Sequence, residues 1–381
     1  MGYDNNSKKA NAASMISNPE DAMMLRDLVD STHYMVRVLD ADKNIVYMNK
    51  KMRDEFSELD RKVCSELFRC NNDCMVRKSW DTGKSEEKVF CYGDRSYKVV
   101  SSPLTNSLGK RFSIEIFHDI TEQKSIEQEL IDRYKTLTAD LNIAKNIQKR
   151  ILPKDGIYWN AIKLSSLYLP SKALAGDIYD IIRINKDSYL MYIADVSGHG
   201  VHASLITMFV KEVVRGNLMA AAYGLDFMLN ELMESYVELN LDPEIYFSLL
   251  LCKYNRSKKE LKIANAGHNC YPLIIRRNGD VEEIKAIGLP ISMLGNVATY
   301  TEVKTHLNRG DRLVLYTDGI TEEFNEEEQK AFGAEGVRNI LKSNAGLDGK
   351  SLAIKIVDSA SDYSTVRLAK DDRAIMIADI L

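Results

Sequence analysis

The sequence predicts an α+β protein of two domains joined by a long helix. Three observations predict it. Apolar runs that end abruptly in aspartate recur through the C-terminal part of the chain. Short alternating strands fill the N-terminal part. Between the two runs a largely polar helical pattern with a narrow apolar stripe.

Residues 1–20 are polar, small and rich in Asn, Ser and Lys, the composition of a disordered tail. A helical pattern follows from Asp21 to about Leu28. The segment Tyr34–Asn49 alternates, turns over Asp40–Asn44 and alternates again, which predicts a hairpin. Glu87–Tyr92, Tyr97–Ser101 and Phe112–Phe117 supply three more strands. From Glu122 to Leu152 no Gly or Pro interrupts a charged helix. Its apolar residues recur at Ile126, Leu130, Tyr134, Leu137, Leu141, Ala144, Ile147 and Ile151, in steps of three and four. The remaining surface is almost wholly polar and offers no second core face. A coiled-coil seam with a second copy is expected, rather than a helix packed on its own domain.

The most informative stretch is Tyr189-Leu-Met-Tyr-Ile-Ala-Asp-Val-Ser-Gly-His-Gly200. A buried strand there delivers Asp195 to a turn whose glycines let backbone approach a ligand closely. The device recurs. Arg312-Leu-Val-Leu-Tyr-Thr-Asp-Gly319 ends in Asp318, Asp177 and Asp180 stand just before an expected strand Ile181–Ile184, and Asp371-Asp372 precede the apolar run Ala374-Ile-Met-Ile-Ala. A single such Asp most often caps a turn. Four at matching strand ends point instead to hard divalent cations, which prefer carboxylate and carbonyl oxygen.

The ordered motifs Ala175-Gly-Asp-Ile-Tyr-Asp180, Asp195-Val-Ser-Gly-His-Gly200, Asn265-Ala-Gly-His-Asn269, Thr317-Asp-Gly319 and Asp371-Asp372 resemble the SpoIIE/RsbU-type branch of the PPM (PP2C-like) serine/threonine phosphatases. So does the lead-in Ile147-Gln-Lys-Arg-Ile-Leu-Pro153, and the resemblance covers about residues 145–381. It implies a PP2C-like β-sandwich flanked by helices, with metals at one edge. Asp177, Asp195, Asp318 and Asp371 would be the catalytic metal ligands, with Val196 adding its backbone carbonyl. The cofactor would be two Mn²⁺ or Mg²⁺ ions bridged by Asp195. The implied reaction is hydrolysis of phosphoserine or phosphothreonine on a protein. By the same resemblance the substrate is a phosphorylated STAS-type anti-sigma-factor antagonist in a partner-switching pathway. The chain departs from the family pattern twice, with Ala175 where Gly is usual and Ala374 where Thr is usual. Neither departure removes a ligand.

The strand order of the N-terminal part, closed by His118-Asp-Ile-Thr-Glu-Gln123, resembles a PAS sensor domain. The expected layout is a tail (1–20), a PAS-like α/β sensor (21–122), a helical signalling linker (123–152) and the phosphatase domain (153–381). Cys64, Cys70, Cys74 and Cys91 cluster in the sensor at spacings unlike a standard zinc pair. Iron–sulfur, zinc and thiol-redox roles stay open beside inert packing. His199 is expected to shape the turn beside the metals rather than to pair with His202 as a zinc ligand. His268 is expected to orient a loop or to transfer a proton.

With 51 basic and 55 acidic residues the net charge is −4, so no nucleic-acid footprint is expected. No apolar run is long enough to span a bilayer, the myristoylation pattern is not met, and no charged-then-apolar leader opens the chain, so a cytoplasmic location is expected. Two other readings compete. A sensor and dimerisation scaffold could bind partners without catalysis, but it would not need all four acids. A nucleotide or phosphodiester hydrolase would need a base pocket or basic groove, and no motif for either is visible.

Overall fold

The computed structural model describes residues 19–56, 74–106, 108–198, 200–293, 299–365 and 371–381. The chain divides into two compact units, residues 1–136 and 137–381. Each is described by itself.

In the first unit the expected alternation yields a five-stranded antiparallel sheet. Its strands are β1 (Met35–Asp40), β2 (Ile45–Met48), β3 (Glu86–Tyr92), β4 (Arg95–Thr105) and β5 (Arg111–Asp119), in the order β2-β1-β5-β4-β3. Helices α1 (Pro19–Asp30), α2 (Lys50–Glu55) and α3 (Met75–Thr82) accompany it. Asn49 closes the hairpin. Its Oδ1 accepts from Val36 N and Met52 N, capping α2, and its Nδ2 donates to Val29 and Tyr34 carbonyls. Leu39, Met52, Phe56, Tyr97, Val99 and Phe117 form the core. Arg37 and Glu115, opposite each other on β1 and β5, make a fully buried ion pair at 2.6 Å.

Helix α4 (Thr121–Ile151) crosses the boundary between the units, as the uninterrupted polar pattern predicts. Of its stripe, Ile126, Leu130, Tyr134, Leu137 and Ile147 are exposed in the single chain. Ile151, at its end, packs on the core of the second unit.

The second unit holds two large antiparallel sheets and a two-stranded one, β17 (Phe324–Asn325) with β18 (Lys330–Ala331). One runs β15 (Val303–His306), β11 (Glu260–Ala266), β10 (Tyr246–Asn255), β9 (Ser188–Val196) and β8 (Asp177–Arg183), with β14 (Ile291–Ser292) paired to β10. The other runs β13 (Val281–Glu283), β12 (Leu273–Ile275), β16 (Arg312–Tyr316), β19 (Arg373–Ile380), β7 (Ile162–Leu169) and β6 (Gly156–Tyr158). Strand period two decides the layering. On β16 and β19, Leu313, Leu315, Met376 and Ala378 enter the core shared with β8–β11. Val314, Tyr316, Ile375 and Ile377 face the opposite way, into a second core with α9 (Gly333–Ser343) and α10 (Gly349–Tyr363). Helices α5 (Val201–Gly216), α6 (Ala220–Tyr223) and α7 (Leu225–Val237) pack on the first core. A short helix α8 (Asp318–Thr321) follows β16.

One boundary differs from expectation. Asp177 and Asp180 lie within β8 rather than before it, because β8 is buried on both faces from its first residue and its ladder to β9 already begins at Asp177.

Candidate metal centre

Four strand ends meet at one end of the two sheets. In the antiparallel ladder Asp177, the first residue of β8, stands directly opposite Asp195 near the end of β9. Facing positions in such a ladder project to the same side, so two carboxylates are placed as neighbours. Asp195 is flanked on its other side by Ser248 of β10. From the second sheet, Asp318 follows the end of β16, and Asp371 precedes β19, which pairs with it.

Thr317 ties the two sheets together. Its hydroxyl donates to Asp177 Oδ2 at 2.7 Å and accepts from Ala374 N at 2.9 Å, while its own N donates to the Ala374 carbonyl. The departure at Ala374 therefore leaves the strand-start hydrogen bonds intact. Asp372 has a different task from its neighbour. Buried, it accepts from Ser171 N, Ser171 Oγ and Gly176 N, all within 2.9 Å. Gly176 in turn accepts from Val196 N. A Cβ on Gly176 would sit 2.8 Å from the Val196 carbonyl oxygen, so only glycine lets these backbones approach. Asp180 is also not a ligand candidate. It is buried against Arg215 at 2.7 Å and Lys211 at 3.2 Å.

A cleft of about 280 Å³ opens over this set, lined by Asp195, Val196, Asp318 and Asp371 together with Glu322 and Asn269. Asp177 lies buried behind it. No Lys, Arg or His is among the described residues lining the cleft. The electrostatics follow. Burial raises the Asp195 carboxyl to about 8, with Asp318, Asp371, Asp372 and Glu322 adding to the effect. Burial and then Asp195 hold Asp177 well above the ordinary carboxylate range. Burial also raises Asp318, and burial with Asp318 and Asp371 raises Glu322. Among the described residues no three His, Cys, Asp or Glu side chains are already drawn together tightly enough to hold a metal ion. The donors are nonetheless all oxygen and converge on one cleft, and no cationic side chain is among the described residues that line it. That set fits hard divalent cations.

Glu322, Asn269 and Asp372 belong to the neighbourhood although the sequence assigns none of them a role, Asn269 and Asp372 entering only as members of the motifs. Glu322 could have been found by helical phase, since it follows Asp318 by four residues. His268 takes the orienting role. It is buried, Nε2 lies 2.9 Å from the Tyr316 carbonyl and Nδ1 lies 2.9 Å from Ser248 Oγ. A carbonyl only accepts, so Nε2 carries the proton and Nδ1 accepts from Ser248. Burial lowers its pKa to about 4. This neutral imidazole joins the strand beside Asp195 to the one that delivers Asp318. Asn265 fixes the loop, its Oδ1 accepting from His268 N and its Nδ2 donating to the His268 and Ala286 carbonyls.

His202 is exposed on α5, and His199 lies outside the described residues. Of the four cysteines of the N-terminal cluster, Cys74 is buried and Cys91 is exposed on β3, while Cys64 and Cys70 lie outside the described residues. No helix among the described residues is long and apolar enough to cross a membrane.

The model of the Stage II sporulation protein E (SpoIIE) family matches residues 185–381. Phosphoserine phosphatase RsbU of Bacillus subtilis (strain 168) is 26% identical over 186 residues, covering 49% of this chain and 54% of that protein. Phosphoserine phosphatase RsbP of the same organism is 23% identical over 244 residues, covering 63% and 58%. The chain thus spans little more than half the length of the curated relatives it matches. Among solved structures, the SiaA-PP2C domain of Pseudomonas aeruginosa superposes with a TM-score of 0.56 at 22% identity, over 66% of this chain and 99% of that one. At that identity the likeness shows the fold, a mixed α/β PP2C-like arrangement.

Proposed function

Because the chain belongs to the SpoIIE family, we propose that it is a metal-dependent protein serine/threonine phosphatase. The observation that carries this reading is the convergence of Asp195, Asp318 and Asp371 on one cleft, with Asp177 immediately behind. Asp177, Asp195, Asp318, Asp371 and the Val196 carbonyl would hold two Mn²⁺ or Mg²⁺ ions. When bound, such ions supply Lewis acidity toward a phosphoryl group and an activated water for in-line displacement.

The chain's own residues do the rest. Thr317 keeps Asp177 aimed into the set by donating to its Oδ2. Asp372 pins the Gly176 turn, and His268 fixes the distance between the strands that present Asp195 and Asp318. Asn269 offers a neutral polar group on the cleft wall, suited to a phosphoryl oxygen. The acidic cleft repels a phosphate monoester until its charge is offset, so binding of substrate depends on prior binding of cations.

We read residues 21–122 as a PAS-like sensor, supported by the β2-β1-β5-β4-β3 sheet and the Asp119–Thr121 exit into α4. Its cysteines are the candidate signal site. The exposed stripe of α4 supports a homodimer through that helix. The substrate we propose is a phosphorylated STAS-type anti-sigma-factor antagonist in a partner-switching pathway. The test is phosphate release from such a phosphoserine protein with Mn²⁺ added. Asp195→Asn should abolish turnover while the protein stays folded, and chelator should silence the wild type reversibly. Wild-type folding with no Mn²⁺-dependent release from any phosphoserine protein would favour the non-catalytic scaffold.

A further inference from the structure

Helix α4 is a 31-residue element whose buried side chain is a polar one, Gln148. A helix that only needed anchoring would bury an apolar residue at that point. Gln148 instead directs both ends of its amide to one residue. Nε2 donates to the Ala175 carbonyl at 2.7 Å, and Oε1 accepts from Ala175 N at 3.1 Å. Thr207 Oγ1 of α5 lies 3.4 Å from the same Nε2. Ala175 is buried, so without Gln148 its N–H and C=O would both be left without a partner away from water. A carboxamide of this length supplies a donor and an acceptor together at any pH.

The chain just beyond Ala175 has no slack. Gly176 is held by Asp372 at its N–H and by Val196 at its carbonyl, with no room for a Cβ. Asp177 follows directly, fixed by Thr317. A polar anchor of this kind is specific to register. A shift of α4 by one residue moves the side chain by about 1.5 Å along the axis and about 100° around it, and breaks both bonds. An apolar contact would tolerate such a change.

We propose that Gln148 is a positioning residue: it locks the register of α4 to the Ala175–Asp177 turn, so that rotation or sliding of this helix alters how firmly Asp177 can hold a cation. The proposal rests on the phosphatase reading above. It gives α4 two separable functions, with an apolar stripe for a partner and a polar bolt for the site.

The experiment uses the full chain and three proteins: wild type, Gln148→Ala and Gln148→Met. Gln148→Met keeps the length of the side chain and loses both hydrogen bonds, and is the variant to rely on if Gln148→Ala folds poorly. Mn²⁺ binding is titrated by electron paramagnetic resonance. In parallel, kcat and KM for a phosphoserine protein and the melting temperature without metal are measured. Loss of a partner that orients a metal ligand weakens metal binding by about 10- to 100-fold. Both variants should show that loss, with KM for the phosphoprotein unchanged at saturating Mn²⁺. A lowered melting temperature with wild-type Mn²⁺ affinity would overturn the proposal and leave the phosphatase reading standing. A wild type that binds no Mn²⁺ would overturn both.

Discussion

Gly319→Ala tests the geometry of the centre without touching any ligand. Gly319 sits between Asp318 and the rest of α8, against the backbone of Asp372. A Cβ there would lie 2.0 Å from the Asp372 carbonyl oxygen and 2.9 Å from its carbonyl carbon. Both obstacles are backbone, so neither can swing aside. Restoring an ordinary contact of about 3.5 Å requires the two segments to part by more than about 1 Å. Those segments carry Asp318 and Asp371, so the perturbation is delivered to the centre itself. Overpacking of this kind costs about 1–3 kcal/mol. At about 2–4 °C per kcal/mol for a unit of this size, melting should fall by roughly 2–12 °C. Misplacement by 1 Å costs on the order of 100-fold in turnover. The assay is Mn²⁺-dependent phosphate release beside a thermal melt, with Gly346→Ala as control, since nothing lies within 4 Å of a Cβ there. A Gly319→Ala protein with wild-type melting and turnover would refute the claim that these segments meet without room to spare.

Three further outcomes are expected. Folding keeps His268 neutral, with a pKa of about 4 against an ordinary 6.5, so the unfolded chain takes up the proton first as pH falls. Its contribution is complete above about 6.5 and is lost progressively toward 4. Denaturant titrations from pH 7 to 4 should show wild type losing up to about 3 kcal/mol more than His268→Gln. The carboxylates titrate in both proteins and cancel in the difference; parallel pH curves would disprove the neutral, buried imidazole. Leu137→Lys combined with Leu141→Lys should convert a dimer to a monomer in light scattering, because a charge in a helix seam costs several kcal/mol. A wild type that is already monomeric removes the seam. If the proposed sensor's cysteines hold a metal, anaerobically purified protein carries iron or zinc, and Cys70→Ser with Cys74→Ser should lose it while keeping Mn²⁺ binding, since thiolates and carboxylates sort metals by softness. Elemental analysis that finds neither metal, with activity indifferent to oxidant, leaves the cysteines as packing residues.

What was legible in the sequence is what a single strand encodes. The apolar run ending at Asp195 and the one leading to Asp318 each declare a buried strand and a carboxylate at its end, and both are found there. The hairpin around Asp40–Asn44 and the long polar helix were legible for the same reason, since period and punctuation are local. The partnerships were not. Thr317 reads as an unremarkable residue before Asp318, yet its hydroxyl joins two sheets through Asp177, 140 residues earlier. Asp372 reads as a twin of Asp371, yet it turns inward to hold Ser171 and Gly176. The start of β8 was misplaced because a strand buried on both faces has no alternation to mark its edge. Gln148 shows the limit most clearly. On a helix whose stripe is written in apolar residues, a glutamine one step beside Ile147 looks like part of the solvated face. Its meaning depends on a backbone 27 residues away that only the folded chain brings to it. The candidate ligands are thus written at strand ends, while what holds them in place is written in single polar residues on other elements. Substitutions at those residues would leave every candidate ligand in place and still be expected to weaken the centre.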